Sequence, residues 1–443
     1  MDARVERSPK SSRKGLYKEK GRLWQPRERW HPCVTGVATS HALAALVAAA
    51  LGLFSLEACA AATLPALFQS CSLDVGAEWD STSHELHLSL DKVSATIAGA
   101  LDRWLPGSNI TIGRQTWKWG PGLSGSLLLS GSTPLDGVCL SVSDGRLLYE
   151  QLAAARDASE GKWLFAHRIV GRLGSSAEVG ISEACSVSSG FHLQPYHLIP
   201  GCPYFLAQHL SMQDERTQDW WSNVLAALDA SLDVTRDVKL YGEFMADDFP
   251  WAPSARGRVP YMVGGLAGIQ VDVPRQTNPC RVAVEYVRIN NYVYSHKNPE
   301  NTYVVADGKL IGHPLGPDAD ALYLFVSRRI DLDDTIGFGP CRDVEVTGRL
   351  GYERHGEGIV GHAWSPSEGV SREFLAGTVE TRASLGVWAT GQLGSALCAV
   401  PGAPHCALEF ATIVEKVRNA GHVPSAETFE ASVGLSLKFV WGQ

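Results

Sequence analysis

The chain lacks the runs and clusters that mark several common protein classes, and each absence narrows the fold. Past residue 60 no apolar run reaches the roughly 18 residues a helical membrane span needs, so no transmembrane helix is expected there. Cationic excess is also missing. Lys and Arg number 39 against 47 Asp and Glu, a formal charge of −8, which argues against nucleic acid as a partner. The 10 cysteines include no C-x-x-C pair and no mixed Cys/His spacing, so neither zinc nor another metal is expected. No glycine-rich phosphate loop or dinucleotide fingerprint occurs, and no cofactor is expected. Gly122-Leu-Ser-Gly-Ser126 falls short of a nucleophile elbow because serine stands where the last glycine should. His84-Glu-Leu-His87 carries metal-binding residue types, but positions three apart on a strand face opposite ways.

What is abundant points to strands. The 44 glycines oppose helix, and the 13 tryptophans suit pleated surfaces. The N-terminus reads as an export leader: a basic region over 1–32, the apolar stretch Ala42–Phe54, then Ala58-Cys-Ala-Ala-Ala-Thr with small residues at a cleavage site. Leu56-Glu-Ala-Cys59 loosely imitates a lipobox, with Glu57 a poor fit, so lipidation of Cys59 is a minor alternative. Removing residues 1–60 leaves 29 basic and 42 acidic residues, a net charge of −13. In an oxidising compartment the remaining cysteines can form disulfides. Cys398 and Cys406, which bracket a turn-rich loop, are the most plausible pair.

Beyond the leader, two-residue alternation recurs in segments of about ten residues, the signature of transmembrane barrel strands. Over 238–247, Val238, Leu240, Gly242, Phe244 and Ala246 oppose Lys239, Tyr241, Glu243, Met245 and Asp247. Segments 321–332 and 344–354 alternate in the same way. Segment 281–294 slips around Val287-Arg288, which suggests a bulge. Near its end Val433, Leu435, Leu437, Phe439 and Trp441 share one face, as in a closing barrel strand, with the aromatic offset by the two residues Gly442-Gln443 that follow it. A helix is expected over 219–232, where Trp221, Val224, Leu225, Leu228 and Leu232 share a helical face. The expected fold is all-β, a single large transmembrane antiparallel β-barrel of about 16–18 strands with short helical elements in loops or lumen. The expected divisions are a leader over 1–60, a short periplasmic segment over 61–83 and the barrel over 84–443.

Three separated stretches carry a family resemblance. They are Arg114-Gln-Thr-Trp-Lys-Trp-Gly-Pro-Gly-Leu-Ser-Gly-Ser-Leu-Leu-Leu-Ser130, Leu240-Tyr-Gly-Glu-Phe-Met-Ala-Asp-Asp248 and Gly312-His-Pro-Leu-Gly-Pro-Asp-Ala-Asp320. In this order they resemble the Wzi family of outer-membrane capsule-assembly proteins, from about Val93 to the end. That resemblance implies an outer-membrane barrel that attaches or organises capsular or other surface polysaccharide without catalysis. The implied partners are that polysaccharide, outer-membrane lipid and the barrel-insertion machinery, with the protein a monomer. One departure stands out. The helical bundle that precedes the barrel in the family's best-described members has no room here.

The motif residues Arg114, Gln115, Trp117, Trp119, Gly120, Pro121, Gly122, Tyr241, Glu243 and Asp247 read as lumen or turn architecture. Glu243 and Asp247 lie along one strand face, and a ladder of cross-strand partners (Arg281, Arg288, Arg329 or Arg349) is the expectation for them. Trp117 and Trp119 suit a lipid-interface rim first and lumen packing second. Polysaccharide contacts are expected on surface loops at Trp251 and Trp364, with Asp248, His313 and Asp318 as further candidates. A porin-like channel is the main rival, its lumen charges setting selectivity. A barrel enzyme acting on envelope lipids is a third reading, and would need a Ser/His constellation at the rim.

Overall fold

The computed structural model describes residues 70–441 apart from 82, 100, 189–194, 212–221, 249–257, 275–279, 331–340, 371–373 and 394–404. The stretch 1–60 read as a leader, Trp251 and Cys398 therefore lie outside the described residues, as does the side chain of Asp248.

The alternating segments become strands. They are β1 (Ser70–Asp80), β2 (Glu85–Ala98), β3 (Ser108–Gln115), β4 (Lys118–Trp119), β5 (Leu129–Ser130), β6 (Leu135–Ser143), β7 (Leu147–Asp157), β8 (Lys162–Leu173) and β9 (Ala177–Val187). After a short helix α1 (Tyr204–Ser211) come β10 (Ser222–Asp233), β11 (Val238–Asp248), β12 (Met262–Val273), β13 (Cys280–Ile289) and β14 (Ala319–Ile330). Four more complete the chain: β15 (Cys341–His355), β16 (Glu380–Leu393), β17 (His405–Arg418) and β18 (Glu427–Trp441). Sixteen of these close one antiparallel barrel, sealed where β1 pairs with β18 from Cys71↔Trp441 to Asp80↔Ser432. The pair β4–β5 is a separate two-stranded ribbon. Closure leaves no unpaired sheet edge, which is what a strand-built membrane protein requires.

The outer wall is apolar. Leu88, Ile112, Ile181, Leu228, Leu322 and Leu350 stand exposed on β2, β3, β9, β10, β14 and β15, while their alternate neighbours turn inward. Three of the turns at one end are short, at 144–146, 174–176 and 234–237, and both ends of the barrel chain emerge there. The long connections 116–134, 188–221, 290–318 and 356–379 leave their strands at the other end. Short periplasmic turns and long extracellular loops are the usual asymmetry of outer-membrane barrels.

Four sequence expectations are corrected. Segment 219–232 is mostly strand β10, not helix, and the described helix lies earlier, at α1. On β10, Leu225 turns into a packed lumen while Leu228 and Leu232 face outward, so apolar residues on both faces imitated a helical stripe. The slip at Val287-Arg288 is not a bulge. The β13 registers run unbroken, and Val287 points into the same packed lumen. The barrel begins at Ser70, inside the stretch read as periplasmic, because Cys71, Leu73, Val75, Ala77 and Trp79 already alternate. Arg114 faces outward, since it is paired across β2 and β6 with Val93 and Asp136 on the lipid-side rows of Ile112 and Val138.

Candidate functional site

At the loop end the connection 116–134 folds into the lumen as a plug. Trp117, Trp119, Leu127, Leu128 and Leu129 are buried in one cluster with Tyr241, Met245, Leu266, Ile289 and Tyr294. Trp117 and Trp119 are therefore lumen-packed and do not form a lipid-interface rim.

Two carboxylates on the barrel wall hold the plug. Glu243 Oε1 accepts from Gly122 N at 2.9 Å, and its Oε2 accepts from Leu127 N at 2.8 Å. Glu285 accepts from Leu123 N at 2.6 Å, from Ser124 N at 2.8 Å and from the Ser124 hydroxyl. Backbone N–H groups of a turn that enters the lumen have no ladder partner, and a carboxylate satisfies two or three at once. Glycine at 120 is required by the same contact. Its φ is +137°, and a Cβ there would sit 2.3 Å from Glu243 Oε1. Pro121 makes the corner between Gly120 and Gly122, and Gln115 ends β3 opposite Leu135 where the chain leaves the wall.

The expected ladder of arginine partners for Glu243 is not formed. Arg281 pairs with Asp272 at 2.7 Å, and Arg288 lies over the Phe374 ring at 3.7 Å. Arg349 sits between Tyr323 and Trp388, 5.2 and 5.1 Å from their ring centres. Strand β12 explains why a wall carboxylate can reach the plug: Gly264 packs against Leu127, and Gly268 leaves room for the Tyr241 ring.

The connection 290–318 forms the next layer. Tyr294 N donates to Asp247 Oδ2 at 2.6 Å, and its hydroxyl donates to Leu127 O at 2.7 Å while accepting from His313 N at 3.1 Å. Asp318 accepts from Gly358 N at 3.1 Å, Leu375 N at 2.9 Å and Ala376 N at 3.1 Å, tying down the connection 356–379. His313 and Asp318 are fully buried, so neither is placed for a surface contact. All three sequence motifs thus meet in one hydrogen-bonded assembly.

A Ser/His pair does occur within it. His313 Nε2 lies 3.0 Å from Ser124 Oγ. However, His313 Nδ1 accepts from Leu315 N at 3.2 Å, which puts the ring proton on Nε2. Burial pushes the His313 pKa down to about 4, so the ring is neutral near pH 7. The proton runs from His313 to Ser124, and the Ser124 hydroxyl donates on to Glu285. That is the reverse of what a serine nucleophile needs from its base.

Sequence reasoning missed several of these groups. Glu285 was visible only as one inward residue of an alternating strand. Arg156, buried at the top of β7, donates to the carbonyls of Trp163, Val187, Glu300, Thr302 and Val304 and so binds the second layer to the wall. Nothing in a linear pattern marks an arginine whose partners are backbone carbonyls.

Above the plug, Trp364 is half-buried and its Nε1 donates to Gly369 O at 2.8 Å, which fixes the ring. His362 meets Tyr292 edge-on at 5.7 Å and Glu368 at 3.1 Å. Elsewhere the lumen wall is charged and only partly buried. Lys438 bridges Asp74 and Glu409, and Arg382 gathers Glu380, Glu415 and Glu430.

With this geometry in view, no protein-family model matches the sequence, and no curated protein matches it. Solved structures do match the fold. Wzi, described as a carbohydrate-binding β-barrel outer-membrane protein involved in group 1 capsule assembly in Escherichia coli, shares 14% identity over 84% of this chain and 85% of that chain, at a TM-score of 0.52. This chain is an outer-membrane β-barrel. OccK10 (OpdN) of Pseudomonas aeruginosa shares 9% identity over 83% of this chain and 97% of that one, at a TM-score of 0.42. For Pseudomonas aeruginosa OprD the figures are 8%, 84%, 94% and 0.41. These likenesses are of fold.

Proposed function

We propose that the protein is a Wzi-type barrel that binds and organises surface polysaccharide, capsular or otherwise, without catalysis. The observation that carries this reading is the convergence of the three motifs on one plug. Glu243, Asp247 and Asp318 of the motifs, together with Glu285, accept from backbone N–H groups, so these positions build a platform at the loop end. A platform of this kind suits adhesion. The fixed Trp364 ring offers a face for a sugar's C–H surface, with His362 and Glu368 beside it as polar contacts. Trp251 and Asp248 belong to the same group of candidates by sequence. A monomer contacting outer-membrane lipid, delivered by an export leader and the barrel-insertion machinery, completes the proposal.

A channel is the second reading, and one observation favours it: the partly exposed charged wall formed by Asp74, Lys438, Glu409, Arg382 and Glu415. The two readings separate in a deletion strain complemented with the wild-type chain or with Trp364→Ala. Polysaccharide binding predicts that deletion releases cell-attached polysaccharide and that Trp364→Ala restores attachment only partly. Unchanged attachment together with lost solute uptake would instead establish the channel.

A further inference from the structure

The connection between β9 and β10 does not stay at the loop end. Its described part, a 3-10 turn at Pro195–His197 followed by α1, lies against the outside of the barrel. Beneath it Phe165, Cys185, Val187 and Val224 cluster with Tyr204. These wall residues lie on the outward rows, because Phe165 and Cys185 are paired and alternate down their strands to the exposed pair Ile169↔Ile181.

The outward rows here also carry polar side chains, which is unusual for a wall that faces lipid. Each is matched to backbone of the overlying segment or to its neighbour. Gly201 N donates to the Tyr149 hydroxyl at 2.8 Å, and Gln151 Nε2 donates to His197 O at 3.1 Å and to the Tyr204 hydroxyl at 2.9 Å. Tyr204 N donates to Glu183 Oε2 at 2.7 Å, and the same carboxylate lies 3.3 Å from His167 Nε2. In hydrocarbon an unpaired peptide group costs several kcal/mol, so non-strand backbone survives there only where protein groups satisfy it. Polar wall residues that would be a defect under lipid are what such a segment needs.

The other side of the segment is apolar. Leu198, Ile199 and Leu206 are 51%, 52% and 54% exposed, matching the wall residues Ile169, Ile181 and Leu228 at 48%, 61% and 49%. Its depth is set by the Gly201 bond, since Tyr149 is the register partner of Ile169, which faces Ile181. The segment therefore descends to the row of lipid-facing side chains.

We propose that residues 195–206 form an intramembrane strap on the outer wall of β7–β10, with Leu198, Ile199 and Leu206 in contact with the acyl chains of membrane lipid. The strap replaces a stretch of polar wall with an apolar one and has its own peptide groups satisfied from behind.

The test places the photo-crosslinker benzoylphenylalanine at position 206 of the full chain, folded into liposomes of a single phosphatidylcholine. Position 169 is the lipid-facing control, and position 309, on an exposed loop, is the solvent control. The expected result is a phosphatidylcholine adduct at 206, detected by mass spectrometry, in yield comparable to 169 and absent at 309. An adduct at 169 with none at 206, or an adduct at 206 chiefly to a second copy of the chain, overturns the proposal. Glu183→Leu provides an independent reading, because it removes the acceptor of Tyr204 N. It should lower the adduct at 206 and leave that at 169 unchanged, whereas an undiminished adduct at 206 would show that the wall groups do not hold the strap.

Discussion

At the scale of single residues, Glu243 carries the clearest consequence. Both of its oxygens accept from plug N–H groups. In Glu243→Gln one acceptor becomes an N–H₂ facing an N–H, so a bond is lost and a repulsion created. The expected cost is about 1–3 kcal/mol, read as a lower unfolding temperature and faster proteolysis within 116–134. His313 gives a pH dependence with a definite sign. Its folded pKa is about 4 against the ordinary 6.5, because burial disfavours the charged ring. Between these values the unfolded chain binds the extra proton, so stability is full above about pH 6.5 and falls as the pH drops towards 4, by up to about 3 kcal/mol. Thermal unfolding of wild type and His313→Gln at pH 7 and 4.5 checks it, and the variant should show the smaller loss. Sequence gave Glu243 its place on an inward row but not its partner. A ladder of arginines was the natural guess, because alternation reveals which way a side chain points and nothing about what fills the space opposite. His313 and Asp318 were read as loop contacts for the same reason: a loop that turns inward carries no periodic sign of doing so.

At the scale of elements, strands were legible where one face met lipid and the other a polar lumen, as on β15 and β18. Legibility failed at two places where the lumen is packed. On β10 Leu225 and Ala227 face the plug while Leu228 and Leu232 face outward, and at the top of β13 Val287 is apolar on the inward row while Arg288 is charged on the outward one, so the two-residue period was obscured and suggested a helix or a bulge. These failures therefore mark the plug itself. The plug is an element with a testable role, since it fills the loop end of the lumen between β7 and β14. Replacing 116–134 with a short Gly/Ser linker removes Trp117, Trp119 and Leu127–Leu129 together and leaves Glu243 and Glu285 facing water. Single-protein conductance in planar bilayers should rise well above that of the wild type. Equal conductance would mean that another segment limits passage, and would count against the plug as the barrier.

For the whole molecule, the barrel rests on an inversion of the usual arrangement: leucines and isoleucines outside, carboxylates and arginines inside. Hydrophobic burial against lipid fixes which row of each strand faces out, and the β1–β18 seam makes that choice consistent around the ring. The two rows should then respond oppositely to the same change. Leu350 is exposed near the middle of β15, while Thr347 lies on the opposite face, where its hydroxyl bonds Ser327 at 2.8 Å. An added cation at Leu350 would lie in hydrocarbon, and Leu350→Arg is expected to cost about 2–4 kcal/mol, whereas a cation facing a hydrated lumen is tolerated. Heat-modifiable gel migration after refolding into liposomes distinguishes them: Leu350→Arg should shift the folded band's melting sharply downward, and Thr347→Lys should leave it close to wild type. If both variants refold and melt alike, Leu350 does not face lipid, and the inside-out assignment of β15 fails along with the rows paired to it.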